Sequence, residues 1–300
     1  MTLIGGTLPL DETASRQAAH FDDHVPISPW PELMRRAGFD YHYIAKDLLI
    51  KNALDRTGIE RGRRALDVGC GTGVWLDRLG STYGVDGTGI DVSRKSLDTA
   101  QAQSVGRNAF ALADARALPF ADGSFDLITS LDVLEHIDHP EQALLEMMRV
   151  SSSGGHILVY AVSMRNSFTY QWFEKKIAGA FGVDLHRLSC HEPDLLVEPE
   201  LVLSTFSADG FSVREIQFFH AFFSSLFDRF FLLVYLALKK AGLLQVRSSM
   251  HRRLGKILLS LASIASRFSL GPLLWIDGPW LRRGHANGFL AVTQKRRGAA

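Results

Sequence analysis

The run Leu66-Asp67-Val68-Gly69-Cys70-Gly71-Thr72-Gly73-Val74 constrains this chain more than any other segment. An apolar stretch carries an acid, then meets glycines at i, i+2 and i+4, then passes into a helical pattern. A backbone with so few Cβ atoms can turn sharply and approach a ligand closely. A dinucleotide fingerprint reads G-x-G-x-x-G and seats a pyrophosphate on the helix N-terminus. Here the spacing is G-x-G-x-G, with Asp67 two residues ahead of the first glycine. A carboxylate there repels a pyrophosphate and suits a cationic or amino-bearing ligand.

From Arg64 onward the chain alternates strand and helix patterns. Strands are predicted at Ala65–Val68, Thr88–Ile90, Ala109–Leu112, Phe125–Thr129 and His156–Val162. Helices are predicted at Val74–Leu79, from the Ser93 cap to Ser104, and at Pro140–Val150. This rhythm demands a parallel sheet with right-handed crossovers and a ligand at the carboxyl ends of the strands. A helix over Glu198–Ala208, a strand over Phe211–Phe219 and a last strand over Gly288–Thr293 follow. Ahead of the alternation, Glu32–Gly38 and Tyr41–Thr57 read as helices, and the first twenty residues as loop.

The chain has 300 residues, 46% apolar and 22% charged, enough for a sizeable core. A net charge of +1 excludes a globally basic nucleic-acid binder. Two cysteines, Cys70 and Cys190, make no disulfide framework, which points to a reducing cytoplasm. Met1–Leu10 lacks the charged start of a signal peptide, and no uninterrupted apolar run is long enough to span a bilayer. The charge is unevenly placed. Between Ala221 and Gly284 ten basic residues face two acidic ones, which leaves the rest of the chain at −7.

Four motifs in order resemble the class I S-adenosylmethionine (SAM)-dependent methyltransferases, methyltransferase type 11-like. They are the glycine turn, Gly89-Ile90-Asp91-Val92-Ser93, Ala113-Asp114-Ala115 with Leu118-Pro119-Phe120, and Leu134-Glu135-His136-Ile137. The resemblance implies an α/β, Rossmann-like, doubly wound sheet of seven strands. The last strand is antiparallel, inserted between the fifth and sixth. It assigns SAM binding to Asp67, Gly69, Cys70, Gly71, Gly73, Asp91, Val92, Asp114, Ala115 and Leu131. Asp91 would accept the ribose hydroxyls and Asp114 the adenine amine. Cys70 reads as a small filler, because nothing near it in sequence lowers a thiol pKa.

His136 and His139 follow the fourth strand, where family members present the methyl group, and an imidazole there can act as a general base. Asp132, Glu135 and His136 lie within five residues and form a candidate Mg²⁺ set that would acidify a catechol. Ubiquinone-biosynthesis O-methyltransferases look similar, with Glu in place of Asp132. The same resemblance extends loosely into a substrate lid over about residues 163–200, with Arg165, Asn166, Tyr170 and His186 as acceptor contacts.

About 68 residues separate the sixth and seventh strand patterns. From Leu254, Lys256, Ser260, Ser263 and Arg267 form a narrow polar stripe opposite a wide apolar face, and Trp275 and Trp280 precede Arg282-Arg283. This suits peripheral attachment to anionic lipid on the inner face of a membrane, or a helical lid or dimer interface; oligomeric state is open. The expected organisation is an extension over 1–40, a core over 41–219, the basic insertion over 220–287 and a last strand and tail over 288–300. The expected activity is methyl transfer to oxygen of a lipid-linked or amphiphilic acceptor such as a polyprenyl phenol or quinone precursor. A glycolipid headgroup, or a non-catalytic SAM-fold scaffold on a membrane, is the alternative.

Overall fold

The computed structural model describes residues 10–23, 41–105, 108–167, 169, 172–173, 176–177, 196–208, 210–227, 272 and 275–298. The elements are α1 (Glu12–Asp23), α2 (Tyr41–Thr57), β1 (Arg64–Val68), α3 (Val74–Tyr83), β2 (Asp86–Asp91), α4 (Arg94–Gln103), β3 (Ala109–Leu112) and β4 (Phe125–Leu131). After β4 come a 3₁₀ turn (Leu134–His136), α5 (Pro140–Val150), β5 (Ser151–Val162), α6 (Pro199–Ala208), β6 (Phe211–Phe219) and β7 (Gly288–Lys295). The seven strands form one sheet in the order β3-β2-β1-β4-β5-β7-β6. All neighbours are parallel except β7, which runs antiparallel to both β5 and β6. The expected topology is therefore observed.

Burial on both faces explains why the central strands are apolar throughout. Leu66, Val68, Ile128 and Phe289 pack with Met147 of α5 and Phe206 of α6 on one side. Ala65, Leu127, Leu158 and Tyr160 pack with Ile50 and Leu54 of α2 and Leu76 and Leu79 of α3 on the other. The helix starts follow local chemistry. Ser93 Oγ accepts the Ser96 amide 3.0 Å away and caps α4. Pro140 opens α5 at the position where its missing N–H costs nothing.

Three boundaries differ from the sequence reading by more than a residue or two. β5 begins at Ser151 rather than His156, because Ser151 already pairs with Phe125 across a register shift. α3 runs on to Tyr83, where Gly84 at φ 68° ends it. The first twenty residues are not all loop: Glu12–Asp23 is helix, capped by Asp11, whose Oδ1 accepts the Ala14 amide at 2.7 Å. The helix expected at 32–38, and the stretch around Leu254–Arg267, lie outside the described residues.

Candidate functional site

The site grows from the turn after β1. The amides of Gly69 and Cys70 both donate to the Ile90 carbonyl, at 2.8 and 2.9 Å, and stitch the turn to β2. Gly69 has φ 72°, and a Cβ there would stand 2.4 Å from Val133 Cγ2. Gly73, at φ 76°, presses α3 against Phe110 and Ala100. Gly71 differs: at φ 51° a Cβ would meet nothing within 4 Å, since the position faces an open cleft. The Gly71 amide donates to Asp91 Oδ2 at 2.8 Å, and the Ser93 amide to Asp91 Oδ1 at 2.8 Å. Burial pushes the Asp91 carboxyl up, while the Ser93, Gly71 and Val92 amides pull it down.

The cleft measures about 250 Å³. Gly69, Gly71, Asp91, Val92, Asp114 and Ala115 line its β1–β3 side, and Leu131, Asp132 and His136 its β4 side. Asp67 lies beneath the turn, only 3% exposed, and is not among the lining residues. Thr129 Oγ1 donates to its Oδ1 at 2.7 Å. Burial, with the nearby Asp91 charge, pushes the Asp67 carboxyl up to about 7 against the pull of Thr129. Cys70, also expected at the SAM site, is not among the lining residues. Its thiol is 7% exposed, sits against Gly89 and is pushed up by burial.

Asp114 is held by its own neighbour. The Arg116 amide donates to Oδ1 at 2.8 Å and the guanidinium reaches Oδ2 at 2.6 Å. The same guanidinium bonds Asp11 at 2.7 Å, ahead of α1. At the other end of α1, Ser93 Oγ donates to Asp22, and Lys95 Nζ to the Asp22 carbonyl at 2.8 Å. Between these ties Gln17 and Phe21 line the cleft. Gln17 donates to the His136 carbonyl, and the Phe21 ring stands edge-on to the His136 imidazole at 5.2 Å and 88°. α1 is therefore strapped over the cleft. The sequence reading missed Gln17 and Phe21, and the local signal was Asp11 immediately before an alanine- and glutamine-bearing helix.

Beyond β4, Asp132 takes φ 57°. Its amide donates to the Tyr160 carbonyl at 3.1 Å, and its Oδ2 accepts from Lys46 of α2. Glu135 is fully buried, and burial together with the Asp132 charge pushes it up to about 8. His139 caps α5 at φ 60°, with its side chain 70% exposed and paired to Glu141 Oε1 at 3.2 Å. It lines a separate groove with Arg116 and Asp138, so the two histidines are not brought together.

The Mg²⁺ expectation is corrected here. Asp132 is taken by Lys46, Glu135 is in the core and His136 lies against Phe21. Among the described residues no group of three His, Cys, Asp or Glu is placed to hold a metal ion. Of the lid candidates, Arg165 pairs with Glu200 at 2.7 Å and its carbonyl accepts the Ala286 amide. The Asn166 carbonyl accepts the Thr169 amide and hydroxyl. Tyr170 and His186 lie outside the described residues.

The cleft suits SAM. Gly71 leaves room for a ligand against the backbone, the walls are apolar, and the polar groups facing inward include the acids Asp91, Asp114 and Asp132, which favour a cation over a phosphate. Comparison with known proteins agrees. Residues 66–159 match the family model described as "Methyltransferase domain". Methyltransferase GfsG of Streptomyces halstedii is 32% identical over 162 residues, 52% of this chain and 57% of that protein. Demethylmenaquinone methyltransferase of Staphylococcus aureus is 31% identical over 157 residues, 51% of this chain and 64% of that protein. The chain spans about half the length of the curated relatives it matches first. The crystal structure of the [4+2]-cyclase SpnF shares the fold with a TM-score of 0.59 at 20% identity, over 98% of this chain and 100% of that one. Over residues 66–159 the chain matches a methyltransferase domain, and the relatives it matches there are methyltransferases.

Proposed function

We propose that the protein transfers the methyl group of SAM to an oxygen of a lipid-linked or amphiphilic acceptor, with a polyprenyl phenol or quinone precursor as the leading class. The observation that carries the reading is the Gly71–Asp91 bond at the floor of a cleft that ends at Leu131 and Asp132. Gly69, Gly71, Asp91, Val92, Asp114, Ala115 and Leu131 would hold the donor, with Asp67, Cys70 and Gly73 shaping the turn beneath. When bound, SAM supplies an activated methyl on a sulfonium, which the acceptor oxygen takes as the carbon–sulfur bond breaks and leaves its electrons on a neutral thioether. Asp132 and His136 face that end of the cleft and are the groups available to take the acceptor's proton. His139, on the neighbouring groove, is not part of this reading.

The reading of an apolar acceptor draws on an aromatic cluster outside the cleft lining, between residues of the expected lid and of the expected insertion. Phe222 stacks on Trp280 at 6.0 Å and 19°, and Phe173 stands edge-on to Phe222 at 5.8 Å. Rings packed in this way present a large apolar surface. The demethylmenaquinone methyltransferase named above favours the same class. Peripheral contact with anionic lipid on the inner face of a membrane fits the basic insertion. Among the described residues no helix is long and apolar enough to cross a membrane.

The test is incubation with SAM carrying a deuterated methyl group and with membrane lipid extracts, read by mass spectrometry. A labelled product that depends on the protein, with its label on oxygen, is expected. SAM binding without any labelled lipid would instead leave a scaffold.

A further inference from the structure

Lys46 projects from α2 onto the carboxyl end of β4. Its ammonium donates to Asp132 Oδ2 and lies 4.6 Å from the centre of the Tyr160 ring. The Tyr160 carbonyl, on the same residue, accepts the Asp132 amide at 3.1 Å. Tyr160 therefore fixes both members of the pair, one through its backbone and the other through its ring face. Asp132 is also one of three non-glycine residues with positive φ among those described. Such a conformation persists only where the surroundings over-determine it, and it gathers at functional sites.

The pair is asymmetric. The Lys46 side chain is 16% exposed, while that of Asp132 is 39% exposed and lines the cleft. Among the described residues only Lys46 bonds the Asp132 carboxylate, and it takes Oδ2, leaving Oδ1 with no hydrogen-bond partner there. A carboxylate left unheld in this place would pair with a bound sulfonium and block the acceptor's approach.

We propose that Lys46 is a positioning residue: it holds Asp132 off the sulfonium and turns Oδ1 towards the acceptor hydroxyl. This rests on the SAM reading of the cleft. In the step it serves, the acceptor's O–H bond breaks and the proton bonds to Oδ1. The electron pair left on oxygen forms the bond to the methyl carbon as the carbon–sulfur bond opens towards sulfur. The proton then leaves Asp132 for solvent through the cleft.

The test needs no acceptor. Calorimetry compares SAM with S-adenosylhomocysteine, its uncharged thioether product, on wild type, Lys46→Met, Lys46→Arg and the double variant Lys46→Met/Asp132→Asn. Freed from Lys46, Asp132 pairs with the sulfonium. Lys46→Met then favours SAM over the thioether by about fivefold more than wild type does, the scale of one partly exposed ion pair. The double variant loses that gain, and Lys46→Arg keeps the wild-type ratio. A ratio in Lys46→Met within about twofold of wild type, on the same scale, overturns the proposal. So does loss of both ligands by Lys46→Met alone, which would make Lys46 a prop of the fold. If wild type binds neither ligand, the SAM reading itself fails and takes this inference with it.

Discussion

Asp91 Oδ2 accepts the Gly71 amide at 2.8 Å, so the acid that ends β2 holds the glycine turn that follows β1. Its other oxygen takes the Ser93 amide at the start of α4. One carboxylate thus fixes two backbone segments on the donor side of the cleft. Hydrogen bonds to a charged group contribute about 1.5–3 kcal/mol each. Asp91→Ala is expected to lower SAM affinity by at least about tenfold by the same scale. Calorimetry reads this, and circular dichroism shows that the sheet survives. Unchanged SAM affinity in a folded Asp91→Ala protein would remove Asp91 from the site.

The strap α1 is expected to control escape from the cleft. Its ties to Arg116, Ser93 and Lys95 sit at its two ends, and Gln17 and Phe21 lie between. Gln17→Ala/Phe21→Ala removes the inward contacts and leaves the end ties. The expected result is SAM dissociation faster by roughly three- to tenfold, since affinity changes among related complexes lie mostly in the off-rate. Stopped-flow displacement by S-adenosylhomocysteine measures it, and an unchanged off-rate would make α1 a passive neighbour.

Why α1 and Lys46 escaped the sequence reading, while the sheet did not, has a physical reason. Strands such as Ala109–Leu112 and helices such as Pro140–Val150 announce themselves through apolar runs, caps and a proline, all local signals. Gly71 and Asp91, which line the cleft, stood out because a turn that approaches a ligand needs glycines and an acid at fixed spacing, whereas the burial of Asp67 beneath the turn was not legible. α1 carries only one large apolar residue, Phe21, and what holds it is a set of contacts to Ser93, Lys95 and Arg116, far along the chain. Lys46 reads as a solvated lysine on a helix until the fold brings Asp132, 86 positions away, against it. The Mg²⁺ set failed for the reverse reason. Three ligand-type residues close in sequence point in different directions once the 3₁₀ turn at Leu134–His136 forms.

Glu135 is expected to make stability depend on pH. Its carboxyl is pushed from 4.5 up to about 8 in the fold, first by burial and then by Asp132. A carboxyl with a raised folded-state pKa adds stability that is fully present below the unfolded value. That stability is lost as pH rises through the window from 4.5 to about 8. Glu135→Gln copies the protonated form at every pH. It should melt several degrees above wild type at alkaline pH, with the gap closing towards acid. Parallel melting curves, with the same gap at every pH, would show that Glu135 does not titrate in this window.

The residues at 275–283 give the membrane proposal a defined surface. Trp275 is 82% exposed, and Ile276, Arg282 and Arg283 are exposed with it. The acid of this stretch, Asp277, is turned inward, where it accepts the amides of Phe222, Phe223 and Ser224 at 3.1, 2.8 and 3.0 Å. The outward face is therefore apolar and basic. Each arginine near an anionic surface contributes about 1 kcal/mol, so Arg282→Ala/Arg283→Ala should weaken binding to phosphatidylglycerol vesicles by roughly thirtyfold. Flotation with phosphatidylcholine vesicles supplies the control. Equal recovery of wild type and variant with the anionic vesicles would move the contact elsewhere.

The three glycines of the turn should separate in a substitution series, because each meets something different. Gly69→Ala drives a Cβ to 2.4 Å from Val133 Cγ2, a stiff branched side chain, at φ 72°. Loss of folding stability is the expected outcome. Gly73→Ala brings its Cβ to 2.9 Å from Phe110 and 3.1 Å from Ala100, so α3 must move off β3 and α4. That also lowers the melting temperature. Gly71→Ala meets nothing within 4 Å and suffers only the left-handed backbone at φ 51°. That conformation costs an alanine about 1–2 kcal/mol. Its methyl points into the cleft where a ligand would lie against the backbone. Gly71→Ala should therefore fold with a modest drop in melting temperature and lose SAM affinity far beyond that drop. Scanning fluorimetry paired with calorimetry gives both numbers. A folded Gly71→Ala protein that binds SAM as wild type does would mean that the ligand does not approach this turn.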